Sequence, residues 1–106
     1  MAQNISIREA NRLDILTLVD YNRVLAYETE SIELDRNTLR LGLEKALKLK
    51  DCQYFVAELC GKVVGQCMIT FEWSEWRNGV MWWLQSVYVD PSYRLRGVVP
   101  KYFKTH

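Results

Sequence analysis

The residues best suited to chemistry sit near the end of the sequence. Arg94 and Arg96 flank Leu95 and lead to Gly97, after a run Val87-Tyr88-Val89-Asp90-Pro91 that reads as a strand emptying into a loop. A strand that ends in a basic, glycine-containing loop and then a helix start offers backbone N–H groups to an anion. Gly97 permits close approach of that backbone, and the two guanidinium groups add charge-assisted contacts to phosphate oxygens. Carboxylates are the second resource. Glu28 and Glu30 fall between two helical patterns, and Glu72 is a candidate base next to Trp73. A carboxylate can take up a proton directly or through water. Metal chemistry is not indicated: Cys52, Cys60 and Cys67 form no C-x-x-C pair, and the only histidine is His106. Three thiols cannot all pair within one chain, so reduced, partly buried cysteines are expected.

The elements that must position these groups follow from periodicity. Ile5 and Ile7 alternate with polar neighbours and suit a first strand. Asn11 can cap a helix over residues 12–27, with Leu13, Leu16, Val19, Tyr21, Val24 and Leu25 forming its apolar face. Residues 28–31 break the pattern and read as a loop. Asp35 can cap a second helix running to about residue 50, with Leu39, Leu43, Ala46, Leu47 and Leu49 inward. Glu44 and Lys48 would pair across one turn of it. Three strands come next, over 53–59, 63–73 and 80–89. Cys60-Gly61 and Asn78-Gly79 mark the turns, and Gly65 is a candidate bulge or close-approach site. On the last strand, strict alternation puts Val80, Trp82, Leu84, Ser86 and Tyr88 on one face. Met81, Trp83, Gln85, Val87 and Val89 take the other. The order β-α-α-β-β-β with a short closing helix predicts an α+β fold, a mainly antiparallel sheet in one domain over 1–106.

Composition excludes several classes. A chain of 106 residues with 49% hydrophobic and 25% charged residues is that of a folded globular domain. Fourteen Lys plus Arg against thirteen Asp plus Glu leave a net charge of +1, too little to draw nucleic acid or an anionic membrane. No apolar run approaches the roughly 20 residues of a membrane span, and the first dozen residues carry charge where a signal peptide is apolar. A cytoplasmic location is expected. Four Trp, six Tyr and three Phe are many for this length, and they supply either core or a contact surface.

The segment from Leu84 through Val99 resembles the signature of the GNAT family of N-acetyltransferases. In that pattern a strand ends in apolar-x-Val-x-Pro and is followed by Arg/Gln-x-x-Gly-x-Gly/Ala at a helix start. Val87-Tyr88-Val89-Asp90-Pro91, Arg94 and Gly97 match it, and the element order and the opening Ile7-Arg8-Glu9-Ala10 agree with the family's N-terminal half. The resemblance implies that acetyl-CoA is the co-substrate, with no metal. Its pyrophosphate would rest on Arg94, Leu95, Arg96, Gly97, Val98 and Val99, and its pantetheine arm would pair with the backbone at Val87, Tyr88 and Val89. It also implies that Glu28 and Glu30 stand toward the acceptor, a small-molecule or peptide amine, with Glu72 a further candidate base and Trp73 a candidate wall on that side. No residue is assigned as catalytic.

Two departures matter. Val99 replaces the motif's second small residue and Pro100 follows it, which adds bulk and removes an N–H where phosphate should sit. The sequence also stops nine residues after Gly97, where family members continue through further elements. The expectation is therefore a truncated domain with weak or absent turnover. The alternative is a non-catalytic remnant or interaction module. Its last strand, left with an open apolar edge, would pair with a second copy to form a homodimer.

Overall fold

The computed structural model describes residues 5–93; Arg94 to Val99, which carry the expected phosphate site, lie outside the described residues. The chain runs β1 (Ile5–Glu9), a 3-10 turn (Arg12–Asp14), α1 (Ile15–Glu30), α2 (Arg36–Ala46), β2 (Cys52–Leu59), β3 (Lys62–Ser74) and β4 (Gly79–Val89). A second short 3-10 turn, Pro91–Tyr93, follows. The four strands form one antiparallel sheet in the order β1-β2-β3-β4, so the expected α+β architecture is present.

Period-two alternation splits the core between the faces of the sheet. On one face Tyr54 and Val56 meet Ile15, Leu18 and Val19 of α1 and Leu43 of α2. On the other, Ile5, Ala57, Leu59, Val64, Cys67 and Val89 form a second cluster, joined at its margin by Leu84 and Val87. Desolvation in that cluster pushes the Cys67 thiol up to about 12, so it behaves as a small apolar residue. All three cysteines are free thiols.

α2 starts where the sequence places its cap, whereas Asn11 caps a 3-10 turn ahead of α1, and the inward stripe of α1 differs from the expected one. Asn11 accepts from the Leu13 N–H, while Asp14 accepts from the Asn11 N–H and receives two guanidinium N–H bonds from Arg8, at 2.8 and 2.9 Å. That pairing holds the Asp14 carboxyl below the usual carboxylate range. Because residues 12–14 form a 3-10 turn, the regular helix begins only at Ile15. Ile15, Leu18, Val19 and Asn22 are buried, whereas Leu13 is 93% exposed and Leu16 and Val24 also face out. The true stripe includes a polar residue, Asn22, which an apolar count passes over.

Other boundaries also move. α1 continues through Glu30 and ends at Ser31 in a left-handed conformation (φ 55°), its N–H bonded to the Tyr27 carbonyl at 3.0 Å. Glu28 and Glu30 therefore occupy the last helical turn, not a loop. α2 is capped by Asp35, which accepts from the Thr38 N–H at 2.8 Å, but it stops at Ala46. Leu49 is consequently exposed, and Glu44 pairs with Arg40 rather than Lys48.

Candidate active site

The site is built where β4 stops being a regular strand. Gln66 pairs with Tyr88 and Met68 with Gln85, so three steps along β4 match two along β3. One residue is extra. Ser86 carries the irregularity, with φ 54° in the middle of a strand. Among the described residues the other non-glycine residues with positive φ, Ser31, Cys60 and Asn78, end a helix or turn a hairpin, where such a conformation is ordinary. For a serine inside a strand it costs about 1–2 kcal/mol, so something must hold it.

The bulge also overturns the strict alternation expected for β4. Past Ser86, Tyr88 falls on the helix-covered face, where its ring centroid lies 4.9 Å from that of Tyr21. Val87 and Val89 fall on the opposite face with Leu84. A second bulge occurs where Ala57 pairs with Gly65 and Glu58 with Val63. The extra residue there is Val64, immediately before Gly65, close to where the sequence signals it.

Three buried polar side chains from three elements converge on this point. Asn22 on α1 donates through Nδ2 to the Leu18 carbonyl at 2.8 Å, the Tyr54 hydroxyl at 3.0 Å and Gln66 Oε1 at 3.3 Å. Gln66 on β3, wholly buried, donates through Nε2 to the Ser86 carbonyl at 2.9 Å. The Ser86 side chain stands beside the Tyr54 hydroxyl as a further partner. Burial raises the Tyr54 pKa, against the opposing pull of Asn22 and Ser86, so at neutral pH it is a neutral hydrogen-bonding group. The Tyr21 hydroxyl donates to the Val63 carbonyl at 3.0 Å, and burial, with the charge of Asp90 adding to it, pushes its pKa up to about 12. Neither Asn22 nor Gln66 is marked by sequence motif. The available signal is that each is an amide within an otherwise apolar inward row.

Between α1 and this bulge lies a cavity of about 430 Å³, lined among others by Asn22, Thr29, Glu30, Ile32, Ser86 and Val87. The expected residues distribute unevenly around it. Glu30 and Val87 border it, whereas Glu28 lines a separate cavity with Arg23, Tyr27 and Glu33. The Tyr88 and Val89 side chains are buried in the two halves of the core. Glu72 and Trp73 sit opposite Met81 and Val80, at the far end of the β3–β4 hairpin. There Glu72 accepts from the Trp83 indole N–H at 2.8 Å and Trp73 is mostly exposed. At about 3.3 Å per residue, the five residues from Met81 to Ser86 put Glu72 roughly 17 Å from the bulge. Among the described residues no three His, Cys, Asp or Glu side chains group to hold a metal.

Comparison with known proteins places this arrangement. The acetyltransferase (GNAT) family model matches residues 16–101. A possible acetyltransferase from Clostridium difficile 630 is 44% identical, superposes with a TM-score of 0.88, and is matched over 95% of this chain and 67% of its own. The chain belongs to the GNAT acetyltransferase family. More distant structures share the fold. A predicted acetyltransferase from Clostridium acetobutylicum, solved with acetyl-CoA, is 19% identical with a TM-score of 0.76, over 96% of this GNAT chain and 70% of its own. A transcriptional regulator from Bacillus halodurans C-125 is 16% identical with a TM-score of 0.81, over 96% and 71%. Among functionally curated proteins none matches. No helix of the described residues is long and apolar enough to cross a membrane.

Proposed function

We infer that the protein transfers an acetyl group from acetyl-CoA to a primary amine. In that reaction the amine nitrogen attacks the thioester carbonyl carbon, the carbon–sulfur bond breaks with CoA leaving as its thiolate, and the proton lost by the amine to solvent or a base is matched by one the thiolate takes up to become the thiol. One observation carries the reading: β3–β4 pairing is interrupted at Ser86 and Val87, where the strand borders a cavity that also reaches Glu30. A strand whose pairing is broken can turn backbone donors toward a thioester carbonyl, and such donors polarise it for attack. The cavity volume suits an acetyl group and a small amine together. Glu30 is the acceptor-side carboxylate in this reading, because it shares the cavity with the bulge. The acetyl-CoA in the structure of the Clostridium acetobutylicum relative supports the choice of co-substrate. Arg94, Arg96 and Gly97 hold its pyrophosphate.

Gly97→Val tests the reading. Steric exclusion of phosphate should weaken acetyl-CoA binding at least tenfold, which is about 1.4 kcal/mol, with the melting temperature unchanged. Calorimetric titration reads this, and equal affinity in both proteins overturns the site.

A second reading, association of two copies along β4, is favoured by the exposure of that strand. Among the described residues β4 is an edge of the sheet, and Val80, Trp82 and Trp83 are about half exposed on it. Two antiparallel copies related by a two-fold axis would pair their edges and cover these side chains. Sedimentation at micromolar concentration should give a dimer that Trp82→Lys converts to monomer. A folded wild-type monomer rejects the interface.

A further inference from the structure

The amides at Asn22 and Gln66 are out of place by ordinary packing logic. Apolar residues of similar volume would fill both positions without any hydrogen bonds to satisfy. What the amides accomplish is a connection. Asn22 on α1 and Ser86 on β4 are joined through Gln66, a side chain of the strand between them, with Tyr54 of β2 bracing the junction. The end of that chain of bonds is the carbonyl of the left-handed serine.

Ladder geometry explains why the carbonyl needs it. With one more residue on β4 than on β3 between the flanking pairs, the Ser86 peptide has no one-to-one backbone partner. Gln66 Nε2 takes the place of that partner. Without it, this partly buried carbonyl would lose its protein donor, and the strand would gain by shifting toward regular pairing. The same bulge forms one wall of the cavity assigned to the reaction.

We propose that Asn22, Tyr54 and Gln66 are positioning residues that hold the Ser86 bulge in the shape that receives the acetyl end of the thioester. This role rests on the acetyltransferase reading above. None of the three has to touch the transferred group; they act through Ser86.

The test separates the two claims. Gln66→Met keeps volume and removes both amide bonds, and Tyr54→Phe removes only the hydroxyl. Amide hydrogen exchange on the unliganded protein should show Val87 and Tyr88 exchanging at least tenfold faster in Gln66→Met, and several-fold faster in Tyr54→Phe, with β1 and β2 unchanged. Calorimetry should show the acetyl-CoA dissociation constant of Gln66→Met rising at least fivefold while that of CoA changes less than twofold. Adding Ser86→Gly, which adopts positive φ freely, should restore both readouts in the Gln66→Met background. A role limited to core packing predicts uniform exchange, equal losses for the two ligands and no rescue by glycine. Any of those results overturns the proposal. A wild-type protein that binds neither ligand refutes the acetyltransferase reading and with it the ligand role, while the exchange pattern still shows whether the three residues hold the bulge.

Discussion

β4 is one strand with two different lives. Its first half, from Gly79 to Trp83, is held by contacts at the surface: Trp82 edge-on to Phe71 with ring centroids 5.4 Å apart, and the Trp83 indole bonded to Glu72. Its second half is held by buried and partly buried polar bonds that lead across the helix-covered face to α1. The first half follows the pleat. The second breaks it, at a residue whose backbone conformation is costly. Regular pairing therefore marks the part of the strand that supports structure, and irregular pairing marks the part that borders the cavity. Surface aromatics suffice for the former, and the latter needs desolvated hydrogen bonds, which are stronger and less forgiving when one partner is lost.

The largest expected effect is on the support beneath the bulge. Leu18 is fully buried on α1, one turn before Asn22, and its carbonyl accepts one of the Asn22 bonds. Leu18→Ala should lower unfolding stability by about 3 kcal/mol, read from urea denaturation. A loss under about 1 kcal/mol would mean that the helix is not what anchors this end of the strand. Next comes an alkaline contrast. Tyr21 is raised to about 12 in the fold and titrates near 10 when unfolded, so the folded state retains its proton over a range where the unfolded state loses it. Its contribution is complete below pH 10 and declines as pH rises toward 12. After discounting for its half-exposed setting, that decline is about 1 kcal/mol. Tyr21→Phe should flatten stability against pH in that window, and an unchanged slope would remove Tyr21 from the account. The smallest effects belong to the hairpin. Trp83→Phe, which keeps a ring but loses the bond to Glu72, should cost about 0.5 kcal/mol. Trp76→Ser, at a residue 95% exposed, should change stability by less than about 0.5 kcal/mol. Losses of 2 kcal/mol there would erase the contrast between the two halves.

Much of this architecture is legible in the sequence because local chemistry fixes it. Asp35 caps α2, Asn78 turns the hairpin with positive φ, and Pro91 follows the end of β4, each for reasons contained in a few neighbouring residues. The strand-end segment before Arg94 carried the family resemblance for the same reason. The inward face of α1 was legible only in part, at Val19 and Tyr21, because a single 3-10 turn at residues 12–14 delays the start of the regular helix, and because Asn22 takes an inward position usually filled by an apolar residue. The faces of Val87, Tyr88 and Val89 were missed because alternation assumes that every residue advances the pleat, and Ser86 does not. The helix-bulge cavity depends on pairs such as Asn22 and Gln66, 44 residues apart, whose meeting no local pattern encodes.

The extra residue at Ser86 also bears on how this strand tolerates insertion and deletion. Remove Ser86, and Gln85 would still oppose Met68, Tyr88 would still oppose Gln66, and Val87 would fall opposite Cys67. Every remaining side chain keeps its face, and the ladder becomes regular. Elsewhere in the same strand, loss of one codon would turn all subsequent residues inside out, carrying Tyr88 away from Tyr21 and Val89 out of its cluster. The two residues Ser86 and Val87 share one place in the ladder, so here the reading frame of the sheet tolerates the loss of a residue, which makes the bulge separable from the fold that carries it.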